Sequence, residues 1–308
     1  MPNYEKVEFQ TLDGLTLRGR LFRAEGAGGN RTAAVVITPP YVIVQDVMVS
    51  DIAVYFSQQG ITALTYDTRS FGESDGQPRC ELDLSKQVDD YSDAFTFLAS
   101  LPSVDPSKIG FWGISFCATV ALNAAALDRR SRFVISVGPI VKASDENPYP
   151  IDKVHRVLTK ALRDRESQLR GNTPFYVEST CEDGSNPTGF GPELGIEAYE
   201  LVQRIAASGI APNFSTQLTL QSFAKILRWH PMQDIKWLGE TPMMLMIPGD
   251  DTVSLPEEQM RLFDMITGPK RVEVAAGKSH FNVLASEGFE GLMDMQVEFI
   301  KQTLGLSS

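Results

Sequence analysis

Two stretches of the sequence offer a serine nucleophile, and they match the G-x-S-x-G pattern to different degrees. Residues 72–76 read GESDG, a full match, whereas residues 113–117 read GISFC, in which Cys117 takes the place of the last glycine. A serine in this pattern attacks a carbonyl carbon only where a strained turn between a strand and a helix lifts its hydroxyl above a sheet. The surrounding chain must therefore decide between Ser74 and Ser115.

The surroundings of the two serines favour Ser115. It lies between the apolar run KIGFWG (108–113), a predicted strand, and the helical pattern CATVALNAAAL (117–127). Strand, turn and helix thus follow one another in the order that the pattern requires. Ser74 is followed by Asp-Gly-Gln-Pro, which is typical of a turn or loop and not of a helix start. We predict that Ser115 is the nucleophile and that Ser74 is a loop residue.

Cys117 has two interpretations of its own. A thiol near a helix N-terminus can be reactive, because its pKa falls there. A small side chain at this position also allows the helix to pack closely on the strand. We favour the second interpretation, a small buried core residue.

A serine nucleophile needs a histidine base and a carboxylate that orients the histidine. His155 and His230 fall in the middle region of the chain, whereas His280 follows the last predicted strand, where the base lies in the chain order Ser…Asp…His. The acid should follow the strand PMMLMIPG, where Asp250 and Asp251 are both candidates. Adjacent side chains of an extended segment point in opposite directions, so only one can face His280. We prefer Asp251, which begins the turn DTVSLP.

The elements that must position these residues alternate along the chain. Short apolar runs predict buried parallel strands at 33–39, 61–67, 108–113 and 132–138, after a hairpin of strands 4–11 and 15–23. Two further strands are predicted at 242–249 and 270–277, where the alternation resumes. Helical patterns cover 46–59, 84–100, 115–128, 151–170, 196–207, 217–229, 256–266 and 289–304. This alternation predicts the α/β class, with a mostly parallel sheet and helices on both of its faces.

The alternation is interrupted in the middle of the chain. We interpret residues 140–235 as a largely helical cap, inserted into a core formed by residues 1–139 and 236–308. Such a cap would lie over the carboxyl edge of the sheet, where ligands bind in folds of this class. Its aromatic residues suggest an apolar pocket; they are Phe175, Tyr176, Phe190, Phe214, Phe223 and Trp229.

Composition excludes several classes of function. The 308-residue chain has a net charge of −11 and no basic tail, so we expect no nucleic-acid binding. No apolar run is long enough for a membrane span, and the N-terminus does not resemble a secretory signal. The three cysteines lack ligand-like spacing, which favours a reduced, cytoplasmic setting. We expect no metal and no nucleotide cofactor, since no ligand cluster and no phosphate-binding glycine loop is present.

Five motifs resemble those of a known family. They are YDTRSFGESDG (66–76), WGISFC (112–117), NFSTQLTLQS (213–222), DDTVSLP (250–256) and GKSHFN (277–282). Together they resemble the α/β-hydrolase superfamily, and most closely its subgroup of fungal polyketide transferases and related bacterial hydrolases. The resemblance implies an α/β-hydrolase fold, with a catalytic set of Ser115, Asp251 and His280. It also implies that the GESDG loop shapes one side of the pocket and does not carry the nucleophile.

The resemblance also indicates where an oxyanion hole would lie. The family's loop after the strand at 33–39 is rich in glycine, whereas this chain reads Thr38-Pro39-Pro40-Tyr41. The expected donors are the backbone N–H groups of Tyr41 and Phe116. Pro40 has no N–H, and the double proline stiffens the loop that directs the Tyr41 amide.

The activity implied is that of a serine-dependent acyl hydrolase or acyltransferase of secondary metabolism. Its substrate would be an ester or thioester of an apolar acyl group, with a polyketide as the candidate, and its intermediate an acyl-serine. Hydrolysis and transfer use the same residues, so both remain open. A different hypothesis is a hydrolase-fold protein that binds a ligand, or templates a non-hydrolytic cyclisation, without acyl-serine chemistry.

One predicted helix points to a partner. Residues 152–170 carry an excess of positive charge in an acidic protein, with Lys153, Arg156, Lys160, Arg163, Arg165 and Arg170 against Asp152, Asp164 and Glu166. Such a surface suits an acidic acyl carrier protein. A solvated helix face is the alternative, and the oligomeric state is left open.

Overall fold

The computed structural model describes residues 3–141, 150–188, 193–285 and 287–306. Their strands are β1 (Glu5–Gln10), β2 (Thr16–Phe22), β3 (Thr32–Thr38), β4 (Thr62–Tyr66), β5 (Val104–Ile114), β6 (Val134–Val137), β7 (Tyr176–Glu178), β8 (Gln217–Thr219), β9 (Met243–Pro248) and β10 (Lys270–Ala275). Their helices are α1 (Val49–Gln58), α2 (Leu84–Ser100), α3 (Phe116–Leu127), α4 (Ile151–Leu169), α5 (Gly195–Ser208), α6 (Leu220–Leu227), α7 (Met232–Ile235), α8 (Pro256–Met265) and α9 (Phe289–Leu304), and Lys236–Leu238 form a 3₁₀ turn.

A single large sheet organises most of these elements. Its strand order is β1-β2-β4-β3-β5-β6-β9-β10. The pairs β1–β2 and β2–β4 are antiparallel, and every other neighbouring pair is parallel. The predicted α/β class and mostly parallel sheet are confirmed.

The central strands are apolar on both faces because helices cover both faces. Side chains alternate along a strand, so neighbouring residues enter different clusters: Val36 packs with α2 and α3, whereas Val35 packs with α1 and α9. Burial on both faces explains the uninterrupted apolar runs in the sequence. Because β3, β5, β9 and β10 run parallel, their carboxyl ends lie at one edge of the sheet. The predicted site residues follow these strand ends.

The segment between β6 and β9 interrupts the alternation, as expected. Its described part contains α4 to α7, and β7 pairs with β8 in an antiparallel ribbon. The predicted helix at 217–229 differs from the structure at its start, because Gln217–Thr219 pair with β7 before α6 begins. Thr219 then caps α6 with its side chain. The exact limits of the cap, 140–235, stay a prediction.

No helix in the described part of the chain is both long and apolar enough to cross a membrane.

Candidate active site

Ser115 occupies a sharp turn between β5 and α3. Its backbone has φ 60° and ψ −126°, an unusual conformation for a residue other than glycine. Two backbone hydrogen bonds hold the turn against β6 and the segment that follows it. Ser115 N–H donates to Val137 O at 2.9 Å, and Ile140 N–H donates to Ser115 O at 3.2 Å. A Cβ on Gly113 would lie 2.1 Å from the carbonyl oxygen of Cys117, so only glycine fits there. The predicted strand–turn–helix context therefore exists at Ser115.

The structure brings Ser115, His280 and Asp251 into one hydrogen-bonded row. Ser115 Oγ lies 2.8 Å from His280 Nε2, and His280 Nδ1 lies 2.8 Å from Asp251 Oδ2. Because the carboxylate accepts from Nδ1–H, Nε2 is left to accept from the serine hydroxyl. The three residues are only 9%, 5% and 2% exposed, so bulk water competes little for these bonds. The arrangement suits proton transfer from the serine to the histidine.

Of the two candidate acids, Asp251 faces His280. Its Oδ1 accepts from the N–H groups of Val253 at 2.8 Å and Ser254 at 2.9 Å, and its Oδ2 also accepts from Gln259 Nε2 at 3.0 Å. The turn and α8 thus fix the orientation of this carboxylate. Asp250 is exposed, and its backbone N–H donates to Lys278 O at 2.9 Å.

Two backbone N–H groups next to Ser115 are free of oxygen partners. Across the described residues, no oxygen atom accepts a hydrogen bond from the N–H of Tyr41 or of Phe116. Phe116 is the first residue of α3, where an N–H has no partner inside the helix. Tyr41 follows the double proline with φ 52°. Within the described part of the chain, the Tyr41 N–H interacts only with the Cys117 thiol, a weak acceptor, so both N–H groups are available to a substrate oxygen, as an oxyanion hole requires.

Cys117 is buried behind this loop. Its thiol donates to Pro39 O at 3.1 Å, and the residue is 2% exposed. Burial raises the pKa of the Cys117 thiol to about 12, although the Thr38 side chain and the Tyr41 N–H act in the opposite direction. Such a thiol stays protonated at neutral pH, which favours the packing interpretation over a reactive thiol.

A pocket of about 510 Å³ opens onto Ser115 and His280. Its wall is mostly apolar, and both the sheet core and the inserted segment contribute to it. From the core come Tyr41, Val42, Ile43, Met48, Ile114, Phe116, Phe281, Leu284 and Phe289, and from the inserted segment come Thr180, Leu194, Ala198, Leu201, Val202 and Ile205. An apolar pocket was expected, and its size suits a small organic acyl group.

Of the six aromatic residues that suggested this pocket, the five in the described part of the chain do not line it. Phe223 is buried in the hydrophobic core with Phe214 and Trp229 packed against the same cluster, whereas Phe175 is exposed. Tyr176 is half-buried away from the pocket, and Phe190 lies outside the described residues. The inserted segment contributes the aliphatic face of α5 instead. The helical spacing of Ala198, Val202 and Ile205 is the signal in the sequence that indicates this face.

The GESDG loop is a structural support and not a wall of the pocket, so that part of the expectation is wrong. None of residues 72–76 lines the pocket. Ser74 Oγ is buried, donates to Asp67 O at 2.5 Å and accepts from Arg18 N–H at 2.9 Å. The loop wraps around the Asp67 carboxylate, which accepts from the N–H groups of Glu73 at 2.9 Å and Gln45 at 2.8 Å. It therefore anchors the segment that follows Tyr41.

The other two histidines do not belong to the site at Ser115. His155 and His230 are both exposed on the inserted segment, and neither lines the pocket. In the part of the chain that the structure describes, no group of three or more histidine, cysteine or acidic side chains is placed to hold a metal ion.

Comparison with known proteins identifies the family. The family model described as serine aminopeptidase, S33, matches residues 32–284. A thiohydrolase from Eupenicillium brefeldianum is 44% identical over 301 residues, which cover 98% of this chain and 95% of the relative. The polyketide transferase ATR5 from Stachybotrys chlorohalonatus is 40% identical over 302 residues, which cover 97% of each chain.

A solved structure agrees with these relatives. The structure of DcsB in complex with its substrate analogue superposes with a TM-score of 0.89 at 37% identity, covering 98% of this chain and 100% of the other. The strand order, the site at the carboxyl edge and the similarity over nearly the whole length all point to the same family. This chain belongs to the α/β-hydrolase family of the serine aminopeptidase S33 type, within its group of fungal polyketide transferases and thiohydrolases.

Proposed function

We propose that this protein is a serine-dependent acyl hydrolase or acyltransferase that works through an acyl-serine intermediate. Its family makes it a hydrolase-fold enzyme of polyketide metabolism. The observation that carries the finer proposal is the hydrogen bond of 2.8 Å between Ser115 Oγ and His280 Nε2, both of which line an apolar pocket. We propose Ser115 as the nucleophile, His280 as the base and Asp251 as the residue that orients the base.

Acylation would begin when His280 Nε2 accepts the hydroxyl proton of Ser115. The freed Oγ attacks the carbonyl carbon of the bound ester or thioester, and the carbonyl oxygen becomes an oxyanion. The N–H groups of Tyr41 and Phe116 are the proposed donors to that oxygen. The tetrahedral adduct then expels an alcohol or a thiol, which takes the proton from His280 Nε2. Asp251 stabilises the imidazolium while it exists.

Deacylation would reverse the same steps with a new acceptor. Water or an alcohol gives a proton to His280 Nε2 and attacks the acyl-serine carbonyl. The adduct collapses, Ser115 recovers its proton, and the product is an acid if water attacked or an ester if an alcohol did. The residues act identically in both cases, so the occupant of the acceptor position decides between hydrolysis and transfer.

The substrate class is proposed from the wall of the pocket and from the relatives. Around Ser115 the wall consists mainly of aliphatic and aromatic side chains, which favour an apolar acyl group over a charged one. Two relatives are named as a thiohydrolase and a polyketide transferase, and these names support a polyketide acyl group presented as a thioester. We therefore propose an apolar polyketide thioester as the acyl donor.

The covalent intermediate provides the direct test. We expect an alkyl fluorophosphonate to add its phosphonyl group to the peptide that contains Ser115, with loss of fluoride. An acyl thioester quenched early in turnover should add its acyl group to the same peptide, with loss of the thiol. The peptide that contains Ser74 serves as the internal control and should remain unmodified. Intact-protein and peptide mass spectrometry measures both. Absence of an adduct on the wild-type protein, together with activity that survives Ser115→Ala, would instead support ligand binding or cyclisation without acyl-serine chemistry.

The surface of α4 supports a proposal about how the acyl group arrives. The basic side chains Lys153, Lys160, Arg163 and Arg165 are exposed and have no ion-pair partner among the described residues, whereas Arg156 and Arg170 pair within the helix. Leu162 and Leu169 are also exposed on this helix, at 61% and 80%. A basic surface with exposed leucines fits an acidic partner with apolar contact residues. We propose that an acidic acyl carrier protein docks here.

Charge reversal on α4 tests the docking proposal. We expect the double variant Arg163→Glu, Arg165→Glu to lower kcat/KM for a carrier-bound acyl group by about tenfold at low salt, because like charges slow encounter. A small acyl thioester without a carrier should react at the wild-type rate. The control is Arg31→Glu with Arg261→Glu, which makes the same charge change on a loop and on α8. Equal slowing of both substrates, or of both double variants, contradicts the proposal.

A further inference from the structure

Tyr41 holds its backbone in a conformation that tyrosine does not favour. Its φ of 52° lies in the left-handed region, and the two residues before it are Pro39 and Pro40. Glycine adopts this region at no steric cost, but no glycine is present in this loop. Contacts outside the backbone of Tyr41 must therefore stabilise the conformation that directs its N–H.

The Tyr41 side chain makes two such contacts. Its hydroxyl donates to Ser179 O at 3.0 Å, and Ser179 directly follows β7 in the inserted segment. Its ring stacks on Phe116, with ring centroids 5.5 Å apart and planes 20° from parallel. The first contact joins the oxyanion loop to the inserted segment, and the second joins it to the residue after Ser115.

The acceptor on the inserted segment is itself fixed. Ser179 is buried, and its N–H donates to Thr216 O at 2.7 Å, directly before β8. Burial, with a smaller effect of nearby Cys181, raises the pKa of the Tyr41 phenol above its ordinary value, so the hydroxyl remains a donor. The β7–β8 ribbon thus holds the Ser179 carbonyl in a defined position, and the Tyr41 side chain connects this carbonyl to the oxyanion loop.

We propose that the Tyr41 side chain is a positioning group, which couples the inserted segment to the oxyanion hole through the hydrogen bond to Ser179 O. Held at its hydroxyl and along its ring, the side chain limits rotation of the loop and keeps the Tyr41 N–H directed at the position of the oxyanion. Stabilisation of an oxyanion depends steeply on donor direction and distance. The inference rests on the proposed acyl-serine chemistry.

Tyr176 offers a matched control in the same protein. Its hydroxyl donates to Arg79 O at 3.1 Å, which is also a bond from a tyrosine hydroxyl to a carbonyl between the inserted segment and the core. Neither Tyr176 nor Arg79 lines the pocket at Ser115. Tyr41→Phe and Tyr176→Phe therefore each remove one similar bond, but only the first touches the oxyanion loop.

The test compares a ligand that forms an oxyanion with one that does not. A trifluoromethyl ketone with an alkyl chain adds Ser115 Oγ to its carbonyl carbon and carries the resulting charge on the former carbonyl oxygen. The matching hydrocarbon, with CH₃ in place of the trifluoromethyl group and CH₂ in place of the carbonyl, fills the pocket without that charge. We expect Tyr41→Phe to weaken ketone binding and to lower kcat, each by about tenfold, with the hydrocarbon affinity and KM unchanged. Tyr176→Phe should leave all four quantities near the wild-type values.

Thermal unfolding and circular dichroism of both variants show whether each is folded, and both should lose a similar amount of stability. Equal ketone affinity in wild type and Tyr41→Phe overturns the inference while leaving the Ser115 chemistry intact. An equal loss of ketone and hydrocarbon affinity also overturns it, because the hydroxyl would then only shape the pocket. Failure of the wild-type protein to form the ketone adduct contradicts the proposed function itself.

Discussion

Ser115→Ala is expected to lower kcat for an acyl thioester by at least about 10³-fold while the protein remains folded. The variant keeps the pocket, the base and the N–H donors, but it has no oxygen that can form the acyl intermediate. Loss of the hydroxyl removes one hydrogen bond, to His280 Nε2, so the unfolding transition should shift little. Steady-state kinetics with a chromogenic thioester measures the loss, and urea unfolding measures the stability.

The serine of the better-matching motif provides the control. Ser74→Ala should keep kcat within a few-fold of wild type, because Ser74 lies outside the pocket. It should nonetheless lower the free energy of unfolding by about 1–3 kcal/mol, since the Arg18 N–H loses its buried acceptor. The two serines should therefore separate cleanly, one affecting rate and the other affecting stability. A rate loss in Ser74→Ala as large as that in Ser115→Ala would contradict the assignment of the nucleophile.

Asp251→Asn is expected to lower kcat by about 10³–10⁴-fold with a small change in KM. The amide of asparagine can present an N–H to His280 Nδ1, which would then accept, and the ring proton would move to Nε2. In that tautomer Nε2 cannot accept the Ser115 proton. Amide hydrogen bonds to Val253 and Ser254 N–H can be kept through the side-chain oxygen, so the fold should persist. Steady-state kinetics on the purified variant measures the loss of kcat, and circular dichroism shows whether the variant is folded.

The neighbouring residue makes the comparison specific. Asp250→Asn removes the same charge one position earlier, but this carboxyl is exposed and does not contact His280. We expect kcat and KM to stay within about twofold of wild type, because exposed charges at this distance interact weakly through water. Comparable losses in the two variants would show that the charge of the turn matters and the contact with His280 does not.

Local pattern was enough to locate the nucleophile candidate. The run 108–113 is apolar because β5 is buried on both faces, and Gly113 is required because a Cβ there would meet Cys117 O. Both conditions act within ten residues of Ser115, so they are visible without any knowledge of the fold. The same reasoning rejected Ser74, whose surroundings contain turn residues and no helix start.

The choice between Asp250 and Asp251 shows where local reasoning ends. Both carboxyls follow β9, and the turn DTVSLP favours Asp251 without excluding Asp250. The contact with His280, 29 residues further along the chain, distinguishes them. Gln259 of α8 adds a hydrogen bond to Asp251 that no sequence pattern indicates.

The wall of the pocket is a second feature that local reasoning did not predict correctly. The aromatic residues of the inserted segment and the aliphatic face of α5 were both apolar candidates, and packing of the inserted segment on the sheet decided that α5 faces Ser115.

The sequence alone is enough to predict the class of the fold, the alternation of the strands and helices that build the large sheet, and the local setting of Ser115. Those properties depend on periodicity and turn chemistry between residues that are close in the chain. The folded arrangement is needed to show that Ser115 and His280, 165 positions apart, lie within a hydrogen bond of each other. It is also needed to show that the GESDG loop supports the segment after Tyr41 and that the Tyr41 hydroxyl donates to Ser179 O. Contacts of this kind arise when distant segments pack together, and no single segment carries the information for them.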